Sequence, residues 1–179
     1  MDLGYAGKSV LMTGGASNIG REITLALLRE GANVTIGDLD EEQAAKVVRE
    51  GKALEGGKVT MIKTDVTSAS SAADAVAFAN EQHGPVEVLI NSVGWTYERL
   101  FLDKPREEWE REVNINLWGP INLYQAVLPT MLERKKGALV SLSSDAARMG
   151  EYKEGVYAAA KAGVIALNKT LSREYGKFN

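Results

Sequence analysis

"LMTGGASNIGREITLALLREGANVTIGDLD", residues 11–40, is the stretch whose reading decides the fold. An apolar run ends at Thr13, glycines and small residues fill the turn from Gly14 through Gly15 to Gly20, and an amphipathic run begins near Ile19. A second apolar run, "ANVTIGD" at 32–38, closes the unit with Asp38 at its end. Strand, tight turn and helix in that order point the helix N-terminus, with its free N–H groups and positive dipole end, at whatever binds beyond the strand. The small residues let a pyrophosphate come close to the backbone. The stretch therefore reads as a dinucleotide site. Asp38 stands 18 residues after Gly20, close to the spacing of about 20 at which a carboxylate meets a ribose. An ionised Asp38 would accept hydrogen bonds from an adenosine 2′-OH and repel a 2′-phosphate, which favours NAD over NADP. The competing reading of "GDLD" is a helix cap, for which Asp40 is the better placed residue.

Outward from this unit the same alternation repeats. Apolar runs at 8–13, 32–38, 58–65, 86–91 and 137–144 read as strands rich in Val, Ile and Leu. The segments 19–30, 41–55, 68–83, 106–134 and 155–176 are spaced as helices. Strand followed by helix five times predicts an α/β fold, a doubly wound parallel sheet with helices on both faces. One strand is awkward. "ALVSL" at 138–142 reads as buried on both faces, yet only one helical segment follows it, so it is either an edge or lacks a neighbour.

Composition narrows the function classes. The 179 residues suit one domain, residues 1–179. A net charge of -3 without a basic block gives no footprint for nucleic acid. Cysteine is absent and His83 is the one histidine, which removes thiolate chemistry and leaves no expected metal site. His83 is expected to be a solvated helix-end residue. No stretch reads as a signal peptide or a membrane span, so a reducing, cytoplasmic setting is the default expectation.

"VYAAAKAG" at 156–163 places Tyr157 and Lys161 four residues apart, on one face of a helix. A phenol ordinarily titrates near about pH 10, and a neighbouring ammonium favours the phenolate, making tyrosine a usable acid/base. Taken alone, such a pair is also what a surface Lys beside a packing Tyr looks like. Ser144, thirteen residues earlier at the end of the last strand, adds a hydroxyl at the sheet end where ligands bind.

With these residues assembled, the chain resembles the short-chain dehydrogenase/reductase family. "TGGASNIG" at 13–20 is similar to its glycine turn, "NSVG" at 91–94 to the motif after its fourth strand, and "NLWG" at 116–119 to that of the following helix. Ser144, Tyr157 and Lys161 fit its catalytic set, and the likeness covers essentially the whole chain. The resemblance implies a Rossmann-like sheet of order 3-2-1-4-5 and a nicotinamide cofactor. Tyr157 is then the general acid/base, Lys161 holds the nicotinamide ribose and favours the phenolate, Ser144 polarises the substrate oxygen, and Asn116 anchors a water behind Lys161. Cofactor contacts are implied for Thr13, Gly14, Ser17, Asn18, Ile19, Gly20, Asp38, Leu39, Asp65, Val66, Asn91, Ser92 and Gly94, as well as Tyr157 and Lys161. Helices 106–134 and 155–176, with stripes such as Ile121, Tyr124, Val127 and Leu128, are implied to pair two copies as a homodimer or homotetramer.

Two departures stand out. Asn18 replaces the second glycine of the turn, and Asn is the non-glycine residue that best tolerates a left-handed backbone there. Beyond "LSREYGKFN" the family continues with further strands and a substrate lid, so the chain is expected to be truncated before the sixth strand or completed by a partner. For substrate recognition, Trp95 and Tyr97 either line an apolar pocket or pack under a loop. Asp145, Arg148 and Tyr152 lie where a substrate tail would pass, and Arg148 could meet a carboxylate or phosphate. Residues 108–150 are similar to 3-oxoacyl reductases and alicyclic hydroxyacyl-CoA dehydrogenases. The expectation is an NAD-dependent secondary alcohol/ketone oxidoreductase acting on a small molecule, of the hydroxyacyl or oxoacyl thioester type or a cyclic alcohol. The alternatives are a non-catalytic dinucleotide-binding scaffold and an epimerase or dehydratase with tightly held NAD.

Overall fold

The computed structural model of the protein describes residues 3–178. Its apolar runs become β1 (Ser9–Thr13), β2 (Asn33–Asp38), β3 (Val59–Lys63), β4 (Val88–Asn91) and β5 (Ala138–Ser141). All pair in parallel, in the order β3-β2-β1-β4-β5. Parallel neighbours require crossovers, supplied by α1 (Asn18–Arg29), α2 (Glu41–Lys52), α3 (Ala69–His83), α4 (Arg106–Val113) and α5 (Gly119–Arg134). A four-residue α6 (Ala146–Met149) and the long α7 (Gly155–Tyr175) follow β5.

Successive strand residues face opposite sides of a sheet, and this sorts the core into two layers. Val10, Met12, Val34, Ile36, Val88 and Ile90 pack with Leu25 and Leu28 of α1 and Val47 of α2. Leu11 and Leu89 point the other way, onto Val76 of α3 and Leu123, Tyr124 and Val127 of α5. The sheet is thus sandwiched, and β1 is buried along its whole length.

Three expectations change. Segment 106–134 is not one regular helix: between α4 and α5 the chain widens into a π-helical turn, Asn114–Trp118, a feature that often accompanies functional positions. Tyr124 and Val127, expected on a pairing surface, are 2% and 0% exposed because they face this chain's own sheet. β5 is not buried on both faces. Among the described residues it pairs only with β4, at the edge of the sheet, and Val140 is 43% exposed.

His83 also differs from the solvated residue expected. It ends α3 but is only partly exposed, and its Nε2 lies 3.1 Å from Thr60 Oγ1, which in turn is 3.2 Å from Thr35 Oγ1. Burial holds its pKa below the ordinary 6.5. A histidine neutral in the fold takes up a proton more readily once unfolded, so its contribution is present above the unfolded value and lost as pH falls through the folded one. Urea midpoints should therefore fall between pH values above and below about 6.5, and His83→Gln should reduce that fall. A variant whose drop equals the parent's would remove His83 from the account.

Candidate functional site

The C-terminal ends of β1, β2, β4 and β5 open into one cleft, and the turn after β1 forms its floor. Gly14 has φ +72° and Asn18 φ 45°, so the departure at Asn18 occupies the left-handed conformation that Asn tolerates. Two backbones come nearly into contact there. A Cβ on Gly20 would lie 1.9 Å from the Gly14 carbonyl oxygen, and one on Gly14 would lie 2.9 Å from the Val93 nitrogen. Ser17 makes no side-chain cap on α1, and no acidic residue stands in the helix's first turn. The positive helix end thus faces the cleft, the arrangement that binds a diphosphate.

Asp38 and Leu39 line the cleft beside this turn. Asp38 Oδ2 accepts from the Ala16 N–H at 3.0 Å and Oδ1 from the Asp40 N–H at 3.1 Å. Capping of α2 is done by Asp40, whose Oδ1 accepts from the Gln43 N–H at 2.9 Å. Of the two roles that "GDLD" left open, capping thus falls to Asp40.

Behind the cleft wall, Thr13 Oγ1 donates to Asn91 Oδ1 at 2.8 Å, stitching β1 to β4. Both residues are buried, at 0% and 1% exposure, and Asn91 Oδ1 also accepts from the Val93 N–H at 3.3 Å. That bond sets the direction of the strand's exit through Ser92, Val93 and Gly94, all of which line the cleft.

The opposite wall carries Tyr157 and Lys161 on the first turns of α7. Lys161 Nζ lies 5.8 Å from the Tyr157 ring centroid and donates to the Leu142 carbonyl at 3.0 Å. Burial lowers the Lys161 pKa from its ordinary 10.5. Gly94 permits the close approach of a third element, since a Cβ there would lie 3.2 Å from both Lys161 Nζ and Asn116 Oδ1. Asn116, in the π-helical turn, is fully buried. Its Oδ1 accepts from the Trp95 N–H at 3.1 Å, and its Nδ2 donates to the Trp95 carbonyl at 2.7 Å and the Glu112 carbonyl at 2.8 Å.

Most of the residues singled out in the sequence meet at this cleft, among them Ser17, Asn18, Ile19, Val66, Trp95, Tyr157 and Lys161. Others do not line it. Ser143 and Leu142 line the wall at the end of β5, whereas Ser144 Oγ accepts from the Ala146 N–H at 3.2 Å. Asp65 Oδ1 is taken by the Thr67 N–H and Oγ1 at 2.9 and 2.7 Å, and Thr64 lines the cleft in its place beside Val66. Asp145 and Arg148 pair with each other at 3.4 Å, with side chains 85% and 72% exposed, and Tyr152 is 70% exposed. Trp95 lines the cleft while its ring stacks under Arg111 at 4.1 Å, and Tyr97 is 52% exposed. Val93, Thr96, Leu142 and Ser143 were not anticipated; only their adjacency to Gly94 and Ser144 could have flagged them.

The family described as short chain dehydrogenase matches residues 8–179. The 3-oxoacyl-[acyl-carrier-protein] reductase FabG of Thermotoga maritima is 36% identical over 168 residues, covering 94% of this chain and 68% of that protein. Glycine betaine reductase ATRR of Emericella nidulans is 37% identical over 169 residues, 94% of this chain but 13% of its own length. Among solved structures, a 7 alpha-hydroxysteroid dehydrogenase complexed with NADH and 7-oxo glycochenodeoxycholic acid superposes with TM-score 0.94 at 29% identity, over 99% of this chain and 69% of that one.

Proposed function

The chain belongs to the short chain dehydrogenase family, and from that premise we propose that it is an NAD-dependent oxidoreductase interconverting a secondary alcohol and a ketone, with Tyr157 as general acid/base. The observation that carries this reading is the Lys161 ammonium 5.8 Å from the Tyr157 ring, in one cleft with an uncapped helix N-terminus. The residues fit a nicotinamide dinucleotide: Gly14 and Gly20 leave a cradle that a Cβ would fill, and the first turn of α1 offers free N–H donors. When bound, that cofactor supplies or accepts the hydride.

The turn after β1 would hold the diphosphate, Asp38 the adenosine ribose, and Lys161 the nicotinamide ribose. In the reductive direction the Tyr157 hydroxyl gives its proton to the carbonyl oxygen as the carbon is reduced, and in the oxidative direction the phenolate takes it back. Lys161 is held in place beside the Tyr157 ring by the Leu142 carbonyl. Ser144 would orient the substrate oxygen, and Asn116 would anchor a water behind Lys161. Trp95 and Thr96 form the substrate side. An oxoacyl thioester or a cyclic ketone is the substrate class we favour, because the 3-oxoacyl reductase and the hydroxysteroid dehydrogenase named above are named for such groups.

NAD rather than NADP is supported by the wall around Asp38. Lys161 is the one cation among the cleft-lining residues, and Arg21 is drawn off to Glu22 and Glu50. A 2′-phosphate beside Asp38 would meet a carboxylate, and Lys63, the β3 neighbour of Asp38, is paired with Glu41. Asp38→Asn should weaken NADH binding and narrow its advantage over NADPH by about tenfold, the scale of one charge-assisted hydrogen bond. An unchanged preference ratio would remove Asp38 from cofactor selection.

The test of the whole reading is consumption of NADH and NADPH, followed by absorbance, with an acetoacetyl thioester, a cyclic ketone and a steroid ketone. NADH-dependent turnover of one of them is expected. Binding of NADH with no turnover of any would favour the non-catalytic dinucleotide-binding alternative. We place self-association on what α4, the π-helical turn, α5 and α7 leave exposed, including Trp118 of that turn at 51% exposure; a monomer by sedimentation would contradict it.

A further inference from the structure

Glu112 and Lys104 are the buried charges that the proposed mechanism leaves without work. Glu112 is fully buried, its Oε1 lies 2.5 Å from Lys104 Nζ, and the Lys104 side chain is only 2% exposed. The same Oε1 accepts from Thr96 Oγ1 at 2.9 Å and from the Tyr97 N–H at 3.4 Å. Oε2 is buried with no hydrogen-bond partner among the described residues. A buried pair of this kind is poor economy for stability, since apolar residues of similar volume commonly serve as well or better. Geometry accounts for it instead.

Two residues one turn apart hold consecutive links of the same strip of chain. Asn116 grips both backbone groups of Trp95, and Glu112, four residues earlier, grips Thr96 and the Tyr97 amide. Trp95 and Thr96 are cleft-lining residues. Lys104 brings the far end of the segment to the same carboxylate, so residues 96 and 104 are pinned at one point while Leu100, Phe101 and Leu102 between them stay exposed. We infer that Glu112 is a positioning residue: its carboxylate, balanced by Lys104, fixes the Trp95–Tyr97 strip that forms the substrate-side wall of the cleft. This rests on the oxidoreductase reading for its kinetic consequence, though not for its structural one.

Two double variants separate positioning from bulk stability. Lys104→Met with Glu112→Gln removes both charges but keeps an oxygen for Thr96 and Tyr97. Lys104→Met with Glu112→Leu removes the acceptor as well. The glutamine double should keep the parent KM for the ketone within about twofold, and the leucine double should raise it about tenfold, the scale of leaving buried donors without their acceptor. Cofactor affinity should stay unchanged in both, because the diphosphate turn is untouched. Amide hydrogen exchange at Thr96 and Tyr97 should quicken only in the leucine double. Equal KM and equal exchange in two folded doubles would overturn the inference. If the leucine double fails to fold, Thr96→Val, which deletes one of the same bonds, is read by amide exchange at Tyr97 alone, because Thr96 itself lines the cleft: faster exchange supports the inference and parent-like exchange overturns it. If the parent turns over no ketone, the oxidoreductase reading falls and the exchange rates alone decide whether Glu112 holds the strip.

Discussion

Tyr157→Phe should reduce ketone turnover by about 10²–10⁴-fold, the contribution of a positioned proton donor, while the Kd for NADH moves by less than about twofold, within the small effect of one neutral hydrogen bond. The substitution removes one oxygen and leaves the ring. Lys161 keeps its bond to the Leu142 carbonyl, which does not involve the phenol. Asn116 likewise keeps its grip on Trp95, so the wall around the missing hydroxyl should stay in place. The predicted signature is a fall in kcat with intact binding, measured by steady-state kinetics beside fluorescence titration of NADH. A variant with parent-like turnover would end the assignment of Tyr157. One that lost cofactor and turnover together would place the phenol in the cradle instead of at the reacting oxygen.

Gly20→Ala should show the opposite pattern. Its Cβ would sit 1.9 Å from the Gly14 carbonyl oxygen, a backbone atom with no rotamer by which to escape. Gly14 in turn has the Val93 nitrogen 2.9 Å from where its own Cβ would be, so the turn cannot retreat without pushing the exit of β4. Relief requires α1 to lift away from β1, and a displacement of about 1 Å in a positioned site suffices for a loss on the order of 10²-fold. The expected result is a rise of that order in the Kd for NADH. Gly176→Ala is the matched control, because nothing lies within 4 Å of a Cβ there. Similar affinity in both variants would mean that the turn is not the diphosphate site.

What could be read from the chain before folding was what is encoded locally. The turn at 13–20, Asp38 at its strand end and the Tyr157/Lys161 pair each depend on a few neighbouring residues and on the period of one element, and they meet where that reading put them. Long-range closure was not readable. Glu112 sits in "EWEREVN" among charges that read as a solvated helix face, and its burial arises only because residues 95–104 fold back over it. His83 was misread for the same reason, since β3 supplies Thr60 from 23 residues away. Asp145, Arg148 and Tyr152 lie close to Ser144 and Tyr157 in sequence, but α6 and the turn at Gly150, φ +74°, carry them to the surface. Segment 106–134 kept an unbroken apolar period, and periodicity has no mark for one wider turn.

That wider turn, Asn114–Trp118, makes the protein unequally tolerant of two kinds of change. Side-chain replacement there stays local, even at Asn116 with its three hydrogen bonds, but gaining a further residue, which an already widened turn has no room to absorb, would rotate everything upstream by about 100° about the axis. Glu112 would then swing off Thr96, and Lys104 would be left with no counter-charge in the interior. Chain length, more than residue identity, is the quantity this part of the molecule guards.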